Sequence, residues 1–309
     1  MRQGEAAPKG ISTGDPLGGV KAPDPLILPN PATRFARTAA RLEVLSAGHP
    51  MMDWLRFMAQ LAQAQHIAAK DLGPVAGPSR NALEQAVAAQ MPPLASVGHR
   101  RDPVWRKGLD ILLDNVDPRF AAAPARTTVA LLQGHEDGFV EGLADRFLDG
   151  TVDSADVGSA LFVAAALQVY FTLLAAGLDA PSVPLLRQRG SCPCCGSTPV
   201  SGVVTASGQT PGARYLYCSL CASAWNHVRA ACITCGESRA LARQEIEGST
   251  GLVKAEVCNA CHTYAKMLYQ AQDTQVDPFA DDLATLGLDL MVGEAGWLRH
   301  APNPLLLVG

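Results

Sequence analysis

Residues 192–261, CPCCGSTPVSGVVTASGQTPGARYLYCSLCASAWNHVRAACITCGESRALARQEIEGSTGLVKAEVCNAC, contain all nine cysteines of the 309-residue chain. Eight of them form four CxxC pairs: Cys192/Cys195, Cys218/Cys221, Cys232/Cys235 and Cys258/Cys261. Adding 40 to each cysteine of the first two pairs gives each cysteine of the last two, with 22 residues inside each half and 10 between the halves. Such a register reads as the tandem duplication of one unit. Each unit supplies four thiolates, the tetrahedral set that zinc or a single rubredoxin-type iron requires. The expected ligand sets are Cys192, Cys195, Cys218 and Cys221 for site 1, and Cys232, Cys235, Cys258 and Cys261 for site 2. Nested pairing of the two inner CxxC pairs would close a shorter loop. Loop entropy favours it by only about 0.7 kcal/mol, and it breaks the symmetry of the repeat.

Other residues follow the same register. Gly196 and Gly236 each come directly after the second cysteine of their unit, where a tight knuckle calls for positive φ, and Arg214 aligns with Lys254. Cys194 falls where the second unit has Thr234 and is read as a spare thiol. Short antiparallel strands are expected over 199–205, 214–217, 243–247 and 252–257. Helix is expected over His262–Gln272 and again over Ala280–Leu290, before an apolar run, Pro304–Val308, that docks on the body.

Upstream of the cysteines the chain is rich in Ala and Leu and punctuated for helices. Asn30-Pro31 caps a first one carrying Phe35, Leu42 and Leu45, which His49-Pro50 stops. A second spans Met51–Asp71 with a stripe of Met52, Leu55, Met58 and Ala62, ended by Gly73-Pro74. Ser79 caps a third to Gln90, and Asp102-Pro103 opens a fourth with Leu109, Leu112 and Leu113. Three more follow over Pro124–Gln133, Glu136–Leu148 and Asp153–Ala176. The last contains Leu161–Leu178, 18 residues without a charge. That length is at the short end for a membrane span, but Gln168 and Thr172 lie within it and it has no basic N-terminal flank. It reads as a buried bundle helix. Periodicity ends at Asp179–Ser191, where the domain boundary is placed.

Net charge is −4 and 48% of residues are hydrophobic, enough for a substantial core and without a basic field for nucleic acid. No apolar stretch follows the first basic residues, so no secretory signal is read there and residues 1–30 are expected to be a flexible tail. The cysteines are accordingly placed in the reducing cytoplasm, where CxxC pairs serve as metal ligands or redox dithiols. No phosphate-binding glycine loop or catalytic triad is legible. Cys258-Asn-Ala-Cys261-His262 matches the haem-attachment pattern, but its cysteines already belong to the repeat, and His227 and His262 are not needed as ligands.

The chain resembles the FdhE family, accessory proteins of bacterial formate dehydrogenases. The resemblance rests on LEVLSAGHPMMDWLRFMAQLAQAQ (42–65), the four CxxC pairs, and DPFADDLATLGLDLM (277–291) with the later NPLLL (303–307). The segment before residue 30 and Cys194 lie outside it. It implies a non-enzymatic maturation factor in the cytoplasm that binds the catalytic subunit of formate dehydrogenase. It also implies two rubredoxin-like centres with iron as the metal and zinc as the alternative. The expected fold is multidomain α+β, with a tail (1–30), an all-α domain (31–180), a first metal module (188–228), and a second with a C-terminal helical extension (229–309). No membrane insertion and no nucleic-acid partner are expected, and a homodimer is left open.

Two rival functions remain. One is a rubredoxin-like electron carrier or dithiol redox protein. The other is a zinc-ribbon nucleic-acid binder using Arg187, Arg189, Arg214, Arg229, Arg239 and Arg243 with Tyr215, Tyr217 and Trp225.

Overall fold

The computed structural model describes residues 22–306 apart from Pro118, Phe120, His135 and Gln209. A two-residue strand β1 (Leu26–Ile27) precedes seven helices: α1 (Pro31–Ser46), α2 (Met52–Leu72), α3 (Arg80–Ala88), α4 (Val104–Asp114), α5 (Ala123–Gly134), α6 (Asp137–Asp149) and α7 (Val157–Ala176). These are the seven expected helices, displaced by a few residues at their ends. Asn30 Oδ1 accepts from the Ala32 N–H at 3.0 Å, and Pro31 fills the first turn, satisfying a donor the helix leaves free. The stripe Phe35, Ala39 and Leu42 of α1 is buried against α2, which buries Leu55, Met58 and Ala62 in return. Helix α3 buries no residue, so its apolar side chains are not core.

Helix α7 lies at the centre, in contact with α1, α2, α4, α5 and α6. By length and composition it could cross a membrane, yet 78% of its most apolar window is buried inside the protein. Gln168, in its middle, accepts from Gln65 Nε2 of α2 at 2.9 Å and donates to the Ser219 carbonyl at 2.8 Å. A polar chain thus runs from the bundle into a cysteine loop.

The second half is built on one eight-stranded sheet: β2 (Pro199–Val204), β3 (Arg214–Cys218), β4 (Ala224–Asn226), β5 (Leu241–Gln244), β6 (Val253–Cys258), β7 (Thr263–Tyr269) and β8 (Leu298–Arg299), with β1 on its edge. The order is β1-β4-β3-β2-β7-β6-β5, and β8 pairs with β7. Each cysteine unit is a three-stranded antiparallel meander, β2-β3-β4 and then β5-β6-β7. The pairing repeats with the cysteines: Tyr217↔Ala224 in the first unit corresponds to Val257↔Tyr264 in the second. The units join through the parallel pair β2–β7, with Gly202 opposite Met267. A Cβ on Gly202 would stand 2.5 Å from Met267 Sδ, so any larger residue in this seam would push the Met267 side chain aside.

One expected element is corrected. Residues 262–272 are not helical; Thr263–Tyr269 is strand β7 in the middle of the sheet. Ala, Lys, Met and Leu favour helix, but burial on both faces removes the polar alternation that marks a strand, and sheet pairing overrides the propensity. The expected helix over 280–290 occurs as α8 (Ala280–Ala284) and α9 (Leu286–Glu294), separated at Thr285. The expected tail also ends earlier than residue 30. Leu26 is buried and pairs with Trp225, and the Asn226 N–H donates to the Pro25 carbonyl. Residues 1–21 lie outside the described residues. At the other end, Leu305 and Leu306 pack on the main core as expected, while 307–309 again lie outside.

Candidate metal centres

The eight paired cysteines converge in two groups, Cys192/Cys195/Cys218/Cys221 and Cys232/Cys235/Cys258/Cys261, and within each the sulfurs lie within 4.8 Å of one another. All nine cysteines are free thiols. The close contacts run between the two knuckles of a unit: Cys192–Cys221 at 3.5 Å and Cys195–Cys218 at 3.4 Å in site 1, and Cys232–Cys261 and Cys235–Cys258 at 3.7 Å in site 2. Disulfide sulfurs would be about 2.0 Å apart. Four sulfurs held about 2.3 Å from a tetrahedral ion stand about 3.8 Å apart, so each cluster has the dimensions of a cage that could hold one ion.

The knuckles are built alike. The Gly196 N–H donates to the Cys192 carbonyl at 2.9 Å, and the Gly236 N–H to the Cys232 carbonyl at 3.0 Å. Their φ angles are +80° and +78°, the left-handed turn expected at both positions. The partner knuckles make the same turn without glycine, at Ala222 (φ +58°) and His262 (φ +54°). Backbone N–H groups point at sulfur: Leu220 and Cys221 toward Cys218 Sγ, and Thr234 toward Cys232 Sγ, all at 3.4 Å. Such donors stabilise thiolate over thiol.

Sequence reasoning missed one recurring feature. Ser223 Oγ lies 3.2 Å from Cys221 Sγ, and Thr263 Oγ1 lies 3.1 Å from Cys261 Sγ. A hydroxyl two residues after the last cysteine therefore touches sulfur in both units, and the 40-residue shift maps one onto the other.

The surroundings of the two sites differ. All four sulfur residues of site 1 are fully buried, whereas in site 2 Cys235 is exposed and Cys261 is partly so. Site 1 is covered by the helical part of the chain. The Leu94 and Ser96 N–H groups donate to the carbonyls of Cys194 and Cys195 at 2.8 and 2.9 Å, and Gln168 reaches Ser219 between Cys218 and Cys221.

Burial pushes the Cys192 and Cys218 thiols well above their ordinary range. Against the same burial, hydrogen bonds from Cys192, Cys195 and Cys218 hold Cys221 at about 5. Negative charge crowded into a dry pocket is unfavourable, and a bound cation would offset it.

Cys194 is buried beside site 1 but outside its four-thiol set. His227 is away from both sets: its Nδ1 faces Arg214 at 2.7 Å, and burial together with the Arg214 charge lowers its pKa to about 4. His262 serves site 2 through its backbone turn. Arg214 pairs with buried Glu256 at 2.5 Å, and Tyr215 and Trp225 are core residues. These are not available as a surface for bases.

Three family models match in succession: FdhE, N-terminal, over residues 23–187; FdhE, central domain, over 191–229; and FdhE, C-terminal domain, over 230–306. An FdhE homolog of Edwardsiella ictaluri is 42% identical over 291 residues, covering 92% of each chain. An FdhE homolog of Pseudomonas aeruginosa is 37% identical over 281 residues, covering 89% of this chain and 90% of its own. The crystal structure of the FdhE protein from Pseudomonas aeruginosa matches with a TM-score of 0.83 at 36% identity, covering 92% of this chain and 99% of that one. The chain belongs to the FdhE family.

Proposed function

We propose that this protein is a cytoplasmic accessory factor for the maturation of formate dehydrogenase. In this reading it binds the catalytic subunit of that enzyme, and each four-cysteine cluster holds one metal ion. The observation that carries the reading is the pair of sulfur cages set into one continuous sheet in a chain of this family. Each unit of about 40 residues is too small to build a core of its own, and an ion closing four thiolates supplies the missing constraint. Iron of the rubredoxin type is the metal favoured here, and zinc fits the same set of donors. Protein purified in air should be red, with two irons per chain by elemental analysis. Colourless protein with two zincs would move the assignment to structural ribbons. Affinity-tagged protein should retain the formate dehydrogenase catalytic subunit from an extract that contains it, and failure to do so would remove the client from this proposal.

A second reading is favoured by one observation, the exposure of site 2. When bound, a four-thiolate iron is a one-electron centre, and an electron carrier needs such a centre near the surface. The same exposure governs exchange, because a chelator must reach a sulfur–metal bond. With excess chelator, metal should leave in two phases of equal amplitude, the first at least about tenfold faster, as expected if local opening of the covered site costs a further 1.4 kcal/mol or more. The fast phase should vanish in Cys235→Ser/Cys261→Ser. Release in a single phase, or a fast phase that survives this change, would show that the difference in burial does not control access.

A further inference from the structure

A cavity of about 260 Å³ lies between the start of α1, strands β3 and β4, and the loop leading into α8. Arg34, Arg37, Tyr217, Gln270, Asp277 and Phe279 are among its lining residues. It contains none of the eight paired cysteines, and neither the family match nor the metal reading assigns it a role.

Among its lining residues the cavity sets one carboxylate, Asp277, against two guanidinium groups, Arg34 and Arg37. The Arg34 guanidinium lies over the Phe279 ring, its carbon 3.3 Å from the centroid, and one nitrogen donates to Thr38 Oγ1 at 2.6 Å. Its Nε is buried and has no hydrogen-bond partner among the described residues. Asp277 does not complete it. Its Oδ1 takes the Thr38 hydroxyl at 3.0 Å and the N–H groups of Phe279 and Ala280 at 3.0 and 2.9 Å, and no ion pair joins it to Arg34 among the described residues. Burial lowers the Arg34 pKa to about 10, with Asp277 opposing the shift and the neighbouring Arg37 charge adding to it. Arg37, one turn further along α1, is exposed and pairs with no carboxylate among the described residues. The Tyr217 ring packs against Phe279 at 6.4 Å between centroids, and its hydroxyl has no hydrogen-bond partner among the described residues.

A buried guanidinium with an unmade hydrogen bond is costly and calls for a partner. Two guanidinium groups and a phenol around one opening form a donor set matched to an oxyanion, which accepts several hydrogen bonds and supplies the missing charge. We propose that this cavity is a binding site for an oxyanion, either a carboxylate or a phosphate group, held by Arg34, Arg37 and the Tyr217 hydroxyl. Such a ligand would sit where α1, the first cysteine unit and the loop before α8 meet, and would tie the three together.

The test uses the full-length protein with its metal content as purified. Inorganic phosphate and acetate are titrated in separate calorimetric experiments at constant ionic strength, with chloride as the balancing anion. At least one of them should give saturable heat at a single site and raise the thermal midpoint, and the one that does identifies the class, phosphate or carboxylate. Arg37→Gln removes an exposed side chain. It should weaken binding by about tenfold, as the loss of one charge-assisted hydrogen bond implies, and leave metal content unchanged. Tyr217→Phe should weaken binding without abolishing it. No saturable heat with either anion, or equal affinity in Arg37→Gln, would overturn the proposal.

Discussion

Cys192→Ser/Cys195→Ser should leave the protein with one metal equivalent and without a stable fold in its first cysteine unit. The expected loss exceeds that of removing two cysteines from the partly exposed site 2. Binding of a structural ion to four thiolates is worth about 10–16 kcal/mol, as much as the whole stability of a typical domain. Site 1 cannot absorb the loss locally. Its four cysteines belong to the same buried cluster as Trp225, Leu216 and the central residues of α7. The cover over it is hydrogen-bonded through Leu94, Ser96 and Gln168, and a loosened knuckle would strand those donors in a dry interior. A change of equal size at site 2, Cys235→Ser/Cys261→Ser, removes two cysteines from a partly exposed cage. Its damage should be confined to the loops around β5 and to the edge of the sheet. Circular dichroism, thermal melts and elemental analysis of the two double variants measure the contrast. If the site 1 variant kept two metals and the wild-type midpoint, the ions would not be what holds this unit together. A larger loss at site 2 would reverse the assigned order.

What could be read in advance follows from where the information lies along the chain. The grouping of the eight cysteines into two clusters was legible because a CxxC knuckle is local and the 40-residue shift repeats it; the positive φ at Gly196 and Gly236 was legible for the same reason. Helices α1 to α7 announce themselves by caps, prolines and apolar stripes. Strand β7 could have been found from the repeat, since β4 at 224–226 shifted by 40 falls on 264–266. Its composition pointed the other way, because the residues that enclose Lys266 come from α8 and α9. The strand β1 has two residues between prolines and no period to detect. The unequal burial of the two sites was not legible at all. It arises from Leu94, Ser96 and Gln168 reaching a knuckle distant in sequence, and nothing within the cysteine units records it.

The C-terminal signature 277–291 acquires its meaning from the same distant contacts, and Asp282→Ala should cost about 3–5 kcal/mol. Each acidic residue of the signature has an assignment. Asp277 accepts from the N–H groups of Phe279 and Ala280 that begin α8 and from Thr38 of α1. Asp281 receives Arg41 of α1 through two nitrogens at 2.9 and 2.7 Å. Asp282, fully buried, faces Lys266 of β7 at 3.2 Å, Arg299 of β8, and Asn303 Nδ2 at 2.9 Å. Asp289 takes Lys266 at 2.5 Å and the Tyr264 hydroxyl at 2.9 Å. The signature thereby locks the first helix of the bundle to the centre of the sheet. Removing Asp282 would leave Lys266, itself fully buried, and Arg299 sharing Asp289, and the cost is that of cations kept from water with too little opposing charge. An exposed pair makes the control: Arg80 and Glu84 on α3 are 92% and 65% exposed, and Arg80→Ala should change stability by less than about 0.5 kcal/mol. Acid should shrink the Asp282 effect. Burial alone would raise its pKa, but Lys266, Arg299 and Asn303 hold it below the usual carboxylate range. A depressed folded-state pKa contributes stability that is complete above the unfolded value, about 3.9, and is lost as pH falls through the folded one. The gap between wild type and Asp282→Ala in denaturant midpoint should therefore be widest near neutrality and narrow below about pH 4. A gap that is small at pH 7, or that widens on acidification, would mean that the lock is held by packing and not by charge.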